Sequence, residues 1–316
     1  MHVLIRRRES PLLAGIAATN ELEQRAISAY LGLAIGDAFG ATVEFLTPRE
    51  IKAQYGEHRE LIGGGWLHLK RGQVTDDTEM SLALGDSILQ CGQVDAVAAA
   101  EAFSAWMRTK PVDIGNTVRR GIAYYRRTGA TCVPENTYDA GNGACMRCLP
   151  VALATLGADL ATVVQTNQLQ AHITHHNAQS DHGCECVIQM VQAALLGEKL
   201  PILQQHADAL VATDNQFAYQ RKREENPSAF IVETLRAVFQ TLVSTDNFEQ
   251  ALIDVVNRGG DADTTGAIVG MIAGALYGSS ALPARWLEAL DRHTALRVIE
   301  QARALLELSP LRQHPV

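Results

Sequence analysis

Asp261, Asp263, Thr264 and Thr265 fall within five positions, between the Gly259-Gly260 pair and an uncharged run over 266–277. Carboxylate and hydroxyl oxygens are hard ligands, suited to Mg²⁺, Mn²⁺ or Ca²⁺. A single Asp there would be explained by capping of the helix that follows. Two Asp in three positions, beside two threonines, exceed that need. Thr75, Asp76, Asp77 and Thr78 form a second cluster of the same chemistry ahead of the small-residue run 79–89. Adjacent carboxylates repel one another unless a cation lies between them. The two clusters are far apart in sequence and alike in chemistry, so they read as two halves of one binuclear metal site.

The elements that must position these clusters are helices. The run 266–277 reads as a buried helix, with Gly266, Gly270 and Gly274 on one face. Each glycine costs a helix interior about 1 kcal/mol, so three predict another element packed very close. Apolar spacing predicts further helices from residue 20 to about 36, near 93–108, and near 114–127 with Asp113 as N-cap. It also predicts helices over 159–174, 181–197, 201–212, 229–244, 247–257, 285–290 and 293–306. Gly141-Asn142-Gly143 reads as a turn whose freed N–H groups suit an anion. His172, His175 and His176 share a face of the helix predicted over 159–174. Strands alternating with helices are not indicated anywhere, and no Pro- or Ser-rich linker divides the chain. The expected fold is therefore all-α. It comprises one compact domain over 20–308, a loosely ordered N-terminus 1–19 carrying Arg6, Arg7 and Arg8, and a tail 309–316.

Of the 316 residues 47% are hydrophobic but only 5% aromatic, which predicts a core of Ala, Leu, Val and Ile. A net charge of −8 argues against a nucleic-acid groove. No apolar run reaches the length of a membrane span, and the N-terminus lacks a convincing cleavage site, so a cytoplasmic protein is expected. Six cysteines (Cys91, Cys132, Cys145, Cys148, Cys184, Cys186) are too few for a disulfide scaffold in a chain this long. Cys145-x-x-Cys148 and Cys184-x-Cys186 lack the tight paired spacing of a zinc site with His175, His176 or His182. They are read as reduced, mostly buried thiols.

Taken in order, several segments resemble the ADP-ribosylglycohydrolase family. They are Gly36-Asp37-Ala38-Phe39-Gly40 with Glu44, Thr75 to Thr78, Gly141-Asn142-Gly143 with Met146-Arg147, Thr174-His175, and Gly260 to Thr265. They span residues 30 to 280. Asn226-Pro227-Ser228-Ala229-Phe230 with Thr234-Leu235 looks most like the family's dinitrogenase reductase-activating branch. One departure is His176-Asn177-Ala178, where the family often has Asn-Asn-Pro. The resemblance implies an all-α fold with two divalent cations in a cleft, Mn²⁺ or alternatively Mg²⁺. It implies metal ligation by Thr75, Asp76, Asp77, Asp261, Asp263 and Thr264, with Glu44 beside the metals and Asp113 near the reacting ribose. It further implies that Asn116, Gly141, Asn142, Gly143, Met146, Arg147 and His175 line the substrate path, and that Phe230 takes the adenine. The implied substrate is ADP-ribosylated nitrogenase iron protein. The implied regulator is a PII-type nitrogen signalling protein, with any membrane recruitment only through such partners.

The residues' own chemistry agrees with cleavage of an N-glycosidic bond. Cations gripping vicinal ribose hydroxyls would orient the sugar and activate water, and a carboxylate would face the developing positive charge. Two other readings stand beside this one. Asp261-x-Asp263-x-Thr265 matches the nucleophile loop of haloacid-dehalogenase-like phosphatases, but it lacks the preceding hydrophobic strand. A non-catalytic ADP-ribose-binding relative would also carry these motifs.

Overall fold

The computed structural model describes residues 20–313, so the N-terminal arm with Arg6 to Arg8, and residues 314–316, lie outside the described residues. Among the described residues there are fifteen α-helices and no strand. They are α1 (Glu21–Gly40), α2 (Pro48–Tyr55), α3 (Asp76–Cys91), α4 (Ala96–Arg108), α5 (Asn116–Thr128), α6 (Leu149–Ala154), α7 (Leu160–Ala171) and α8 (Ala178–Leu195). There follow α9 (Leu200–Thr213), α10 (Ile231–Ser244), α11 (Phe248–Val256), α12 (Ala262–Tyr277), α13 (Ala284–Ala289), α14 (Arg292–Glu307) and α15 (Pro310–Gln313).

The centre of the molecule is the pair α1 and α12. Almost every residue of α12 is buried, as its uncharged sequence requires. Its glycines meet α1 backbone to backbone: a Cβ on Gly266 would lie 2.5 Å from the Gly36 carbonyl oxygen, and one on Gly270 2.0 Å from that of Gly32. The close partner expected from the glycine spacing is thus α1. That contact also corrects the predicted end of α1. The helix does not stop near residue 36 but runs to Gly40, because Gly36 and Gly40 serve close approach within the helix rather than a turn.

α3, α11 and α14 pack around this pair, and α8 with α10 closes the other side. Two short helices escaped the periodicity reading. α2 is set by Pro48 at its first turn and a Thr47–Glu50 capping box. α6 has only six residues. The predicted tail forms α15, with Leu311 N–H bonded to the Leu156 carbonyl. Cys145, Cys148, Cys184 and Cys186 are buried, whereas Cys91 and Cys132 are exposed, and none forms a disulfide.

Candidate metal centre and substrate cleft

Three helix N-termini and one helix-end loop converge on a cleft of about 740 Å³. The start of α12 supplies Asp263 and Thr264, with Asp261 just before it. Thr75 precedes α3, which opens on Asp76 and Asp77. Asn116 opens α5, and the turn after α1 carries Glu44. Helix N-termini carry partial positive charge, which favours carboxylates and anionic ligands there.

Asp261 and Thr75 occupy N-cap positions, yet neither side chain makes a capping hydrogen bond. Capping therefore does not account for them. Carboxylate oxygens of Asp76, Asp77 and Asp263 lie within 4.8 Å of one another, as do those of Glu44, Asp261 and Asp263. Asp263, only 2% exposed, belongs to both groups. Burial and then mutual repulsion push Asp76, Asp77 and Asp263 well above the usual carboxylate range. Burial likewise raises Asp261 to about 6 and Glu44 to about 8, the latter against a 2.7 Å hydrogen bond from Trp66 Nε1 to its Oε2. Among the described residues no Lys or Arg lines the cleft, and Asp77 Oδ1 is buried without a hydrogen-bond partner. This donor set fits hard divalent cations.

Asp37 organises the site from behind. Its carboxylate accepts from Thr75 N–H (2.9 Å) and Oγ1 (2.8 Å) and from Thr78 N–H (3.1 Å) and Oγ1 (2.5 Å). α1 thereby holds the first turn of α3, and each threonine hydroxyl is oriented by donating to Asp37. The sequence reading named Asp37 only as part of a glycine segment. Its burial depends on the α1–α12 contact, which no local pattern reveals.

Backbone bonds tie the loops together. Phe45 N–H donates to Gly260 O (2.8 Å), Gly260 N–H to Leu46 O (3.0 Å) and Asp261 N–H to Pro227 O (2.8 Å). Gly259 and Gly260 have φ of +71° and +66°, and a Cβ on either would strike the Leu46 or Pro227 carbonyl. Only glycine permits that sandwich. Asn142 N–H donates to Ala229 O, and Asn142 Nδ2 reaches Asp261 Oδ2 at 2.5 Å. The Gly-Asn-Gly turn therefore positions a carboxylate of the acidic cluster through the Asn142 side chain.

Glu44, Asp76, Asp113, Asn116, Gly141, Asn142, Gly143, Met146, His175, Phe230, Asp261, Asp263 and Thr264 all line the cleft. Thr75 and Asp77 sit immediately behind it, fully buried. Arg147 is the exception. It is 0% exposed and does not reach the cleft. Its guanidinium donates to Gln170 Oε1 (2.9 Å), Gln170 O (3.0 Å) and Thr174 Oγ1 (2.8 Å) and lies over the Phe103 ring. Thr174 in turn holds His175 Nδ1 at 2.7 Å, so Arg147 braces His175 from the core. Burial drives His175 down to about 3 and keeps the imidazole neutral under Gly141 and Gly143. Asp113 is not the N-cap of α5. Gly115 holds that position, and the Asp113 carboxylate accepts from Ile114 N–H while facing the cleft. The predicted histidine face also breaks up, because α7 ends at Ala171, His172 stacks on His176, and His175 instead packs against Gly141 and Gly143 at the cleft.

Aromatic side chains at the cleft were missed: Phe45 (64% exposed) against Trp66 (51% exposed), and Tyr138. Their one sequence signal was Trp66 directly after three glycines.

The family described as ADP-ribosylglycohydrolase matches residues 18–315. The chain belongs to the ADP-ribosylglycohydrolase family. It is 48% identical over 292 residues to the ADP-ribosyl-[dinitrogen reductase] glycohydrolase of Rhodospirillum rubrum, covering 92% of this chain and 98% of that protein. It is 32% identical over 281 residues to the ADP-ribosylarginine hydrolase Tri1 of Pseudomonas putida strain GB-1, covering 84% and 73%. A solved ADP-ribosylglycohydrolase-related protein complex superposes with a TM-score of 0.81 at 32% identity, covering 91% of this chain and 99% of that one. In this family member Asp261-x-Asp263 follows a glycine turn and opens a helix, with no strand before it, so the phosphatase alternative has no support.

Proposed function

We propose that this chain hydrolyses the N-glycosidic bond between ADP-ribose and a protein arginine, with ADP-ribosylated nitrogenase iron protein as substrate. The carrying observation is the near full-length similarity to the Rhodospirillum rubrum enzyme, together with the buried carboxylate cleft. In this reading Asp76, Asp77, Asp261, Asp263, Thr75 and Thr264 hold two divalent cations, Mn²⁺ in preference to Mg²⁺. When bound, these would offset the carboxylate repulsion, grip the ribose hydroxyls and lower the pKa of water.

The remaining roles fall to the chain's own groups. The start of α5 and the N–H groups of Gly141 and Gly143 take the diphosphate. Phe230, half-buried ahead of α10 and bridged to Gly141, stacks on the adenine. Asp113 and Glu44 face the reacting ribose from separate loops. As the C1″–N bond breaks, its electron pair stays on the guanidine nitrogen, which then picks up a proton. Water oxygen bonds to C1″, and one of these carboxylates takes its proton. Asn142 holds Asp261 in place, while Trp66 orients Glu44.

The deciding experiment measures free ADP-ribose released from an ADP-ribosyl-arginine protein with Mn²⁺ and with chelator. Release only with the cation is expected. Binding of ADP-ribose without release would make the chain a non-catalytic relative and overturn the proposal.

Among the described residues no helix is long and apolar enough to cross a membrane. In our reading the enzyme works in the cytoplasm and reaches the membrane only through a PII-type signalling partner. Fractionation after an ammonium pulse, in cells with and without that partner, tests this. Recruitment that persists without the partner refutes it.

A further inference from the structure

We propose that Cys132, His172 and His176 form a second metal site, for a soft divalent ion of the zinc class, outside the carboxylate cleft. One ligand atom from each of the three lies within 4.8 Å of the others. Cys132 Sγ is 3.5 Å from His176 Nδ1, and the two imidazole rings stack at 4.0 Å. Zinc bonds of about 2.0–2.3 Å in a tetrahedron need ligand atoms somewhat under 4 Å apart, so the ion binds as the two imidazoles turn out of their stacked setting to aim one nitrogen each at it. One thiolate with two imidazoles selects zinc-like ions over Mn²⁺ or Mg²⁺, the reverse of the cleft's preference.

The surroundings are those of a built site. His172 Nε2 is held at 2.9 Å by Asp181 Oδ2, which leaves Nδ1 with its lone pair. Such a carboxylate–histidine pair commonly stands behind a ligating imidazole. The other Asp181 oxygen is buried with no partner. His176 Nδ1 lies 2.8 Å from the Val133 carbonyl and 3.5 Å from Cys132 Sγ, so ligation through Nδ1 exchanges the Val133 bond for the ion, whereas ligation through Nε2 keeps it. A cavity of about 310 Å³ lined by Cys132, His172, Gln165 and Gln168 opens on the cluster and leaves space for a water as fourth ligand. None of these groups has a part in the hydrolysis.

The site also has a structural consequence. Cys132 sits on the loop that leads to Tyr138 and Asp139 at the cleft, while His172 and His176 flank Thr174 and His175. Val133 N–H to His172 O and Asn136 N–H to His176 O already join these segments. A bound ion staples the cleft's loop to the end of α7. Binding is redox-neutral: the Cys132 thiol loses its proton to solvent, its sulfur lone pair bonds the ion, and both imidazoles enter neutral.

Titration of the Mn²⁺-loaded protein with Co²⁺ tests this, because only a sulfur ligand gives a thiolate-to-cobalt charge-transfer band. The expected result is one equivalent of Co²⁺ with that band, bleached by one equivalent of Zn²⁺. The band should persist in Cys91→Ser and vanish in Cys132→Ser. Asp181→Asn keeps all three ligands and should weaken Zn²⁺ affinity about 10–100-fold. Calorimetry in buffers of different ionisation enthalpy should show release of about one proton per ion. No thiolate band in the unmodified protein, or an equal band in folded Cys132→Ser, overturns the proposal.

Discussion

Gly270→Ala should destabilise the protein although it replaces glycine by the best helix former. In a helix interior this change is worth about 1 kcal/mol in favour of alanine. At this position the new Cβ would lie 2.0 Å from the Gly32 carbonyl oxygen and 2.6 Å from its carbon, where ordinary contact begins at 3.4 Å. The obstacle is backbone of α1, which has no rotamer to change. The two helices must therefore part by about 1 Å or more, and a well-packed core resists this at about 1–3 kcal/mol or above. The net effect should be a loss of about 1–2 kcal/mol and a fall in Tm of about 2–3 °C. A second effect follows from where the helices lead. Asp263 lies two turns before Gly270 on α12, and Asp37 is on α1, so separating the pair pulls apart the groups that hold Asp76 and Asp77. Cation affinity should fall although Gly270 is about 10 Å along the helix from Asp263. Thermal melts of chelated protein, with calorimetric Mn²⁺ titration at a temperature where both forms are folded, measure the two effects. A Tm that is unchanged or raised would refute the reasoning, since its sign would then be that of helix propensity alone.

Asp37→Asn replaces an acceptor of four hydrogen bonds by a group that must aim a donor at other donors; it should cost about 1–3 kcal/mol and weaken cation binding. Equal denaturant midpoints and equal Mn²⁺ affinity would show that the Asp37 charge is dispensable. Chelated protein should lose stability as pH rises. Asp37 and Asp261 are raised to about 6 and Glu44 to about 8, mainly by burial, so the folded state holds protons that the unfolded chain gives up near pH 4. That stabilisation is complete below about pH 4 and declines above it, the Asp37 and Asp261 part being lost as pH rises through about 6 and the Glu44 part as it rises through about 8. Melts in chelator at pH 5 and 8 should differ, and Mn²⁺ should restore the loss at pH 8; a flat profile in chelator counts against the burial-raised carboxylates described here. Phe230→Ala should weaken ADP-ribose binding by about 1–3 kcal/mol through lost stacking. Unchanged affinity by calorimetry would assign Phe230 to packing alone.

Much of the molecule was legible before folding was considered. Paired acids beside threonines announce hard-ion ligands by donor chemistry, and glycines four apart announce a close helix contact by geometry, because both properties reside in side-chain type and local spacing. The buried helix read over 266–277, the helices between residues 159 and 306, and the carboxylate halves around Asp76 and Asp263 were read on that basis. Tertiary structure decided what depends on distance through space. Gly36 could mark a helix end or a helix crossing, and only the arrival of α12 selects the crossing. Arg147 beside the Gly-Asn-Gly turn suggests an anion ligand, yet the turn directs it into the core, where Gln170 and Thr174 supply acceptors that lie over twenty positions away in sequence. Asp113 has the composition of a cap, but backbone geometry gives that place to Gly115. Cys132 carries no pattern at all and gains its neighbours His172 and His176 only because a loop returns to the end of α7. Local sequence encodes what a residue can do, whereas burial and partners, which determine its charge and its use, are set by segments that meet only in the folded chain.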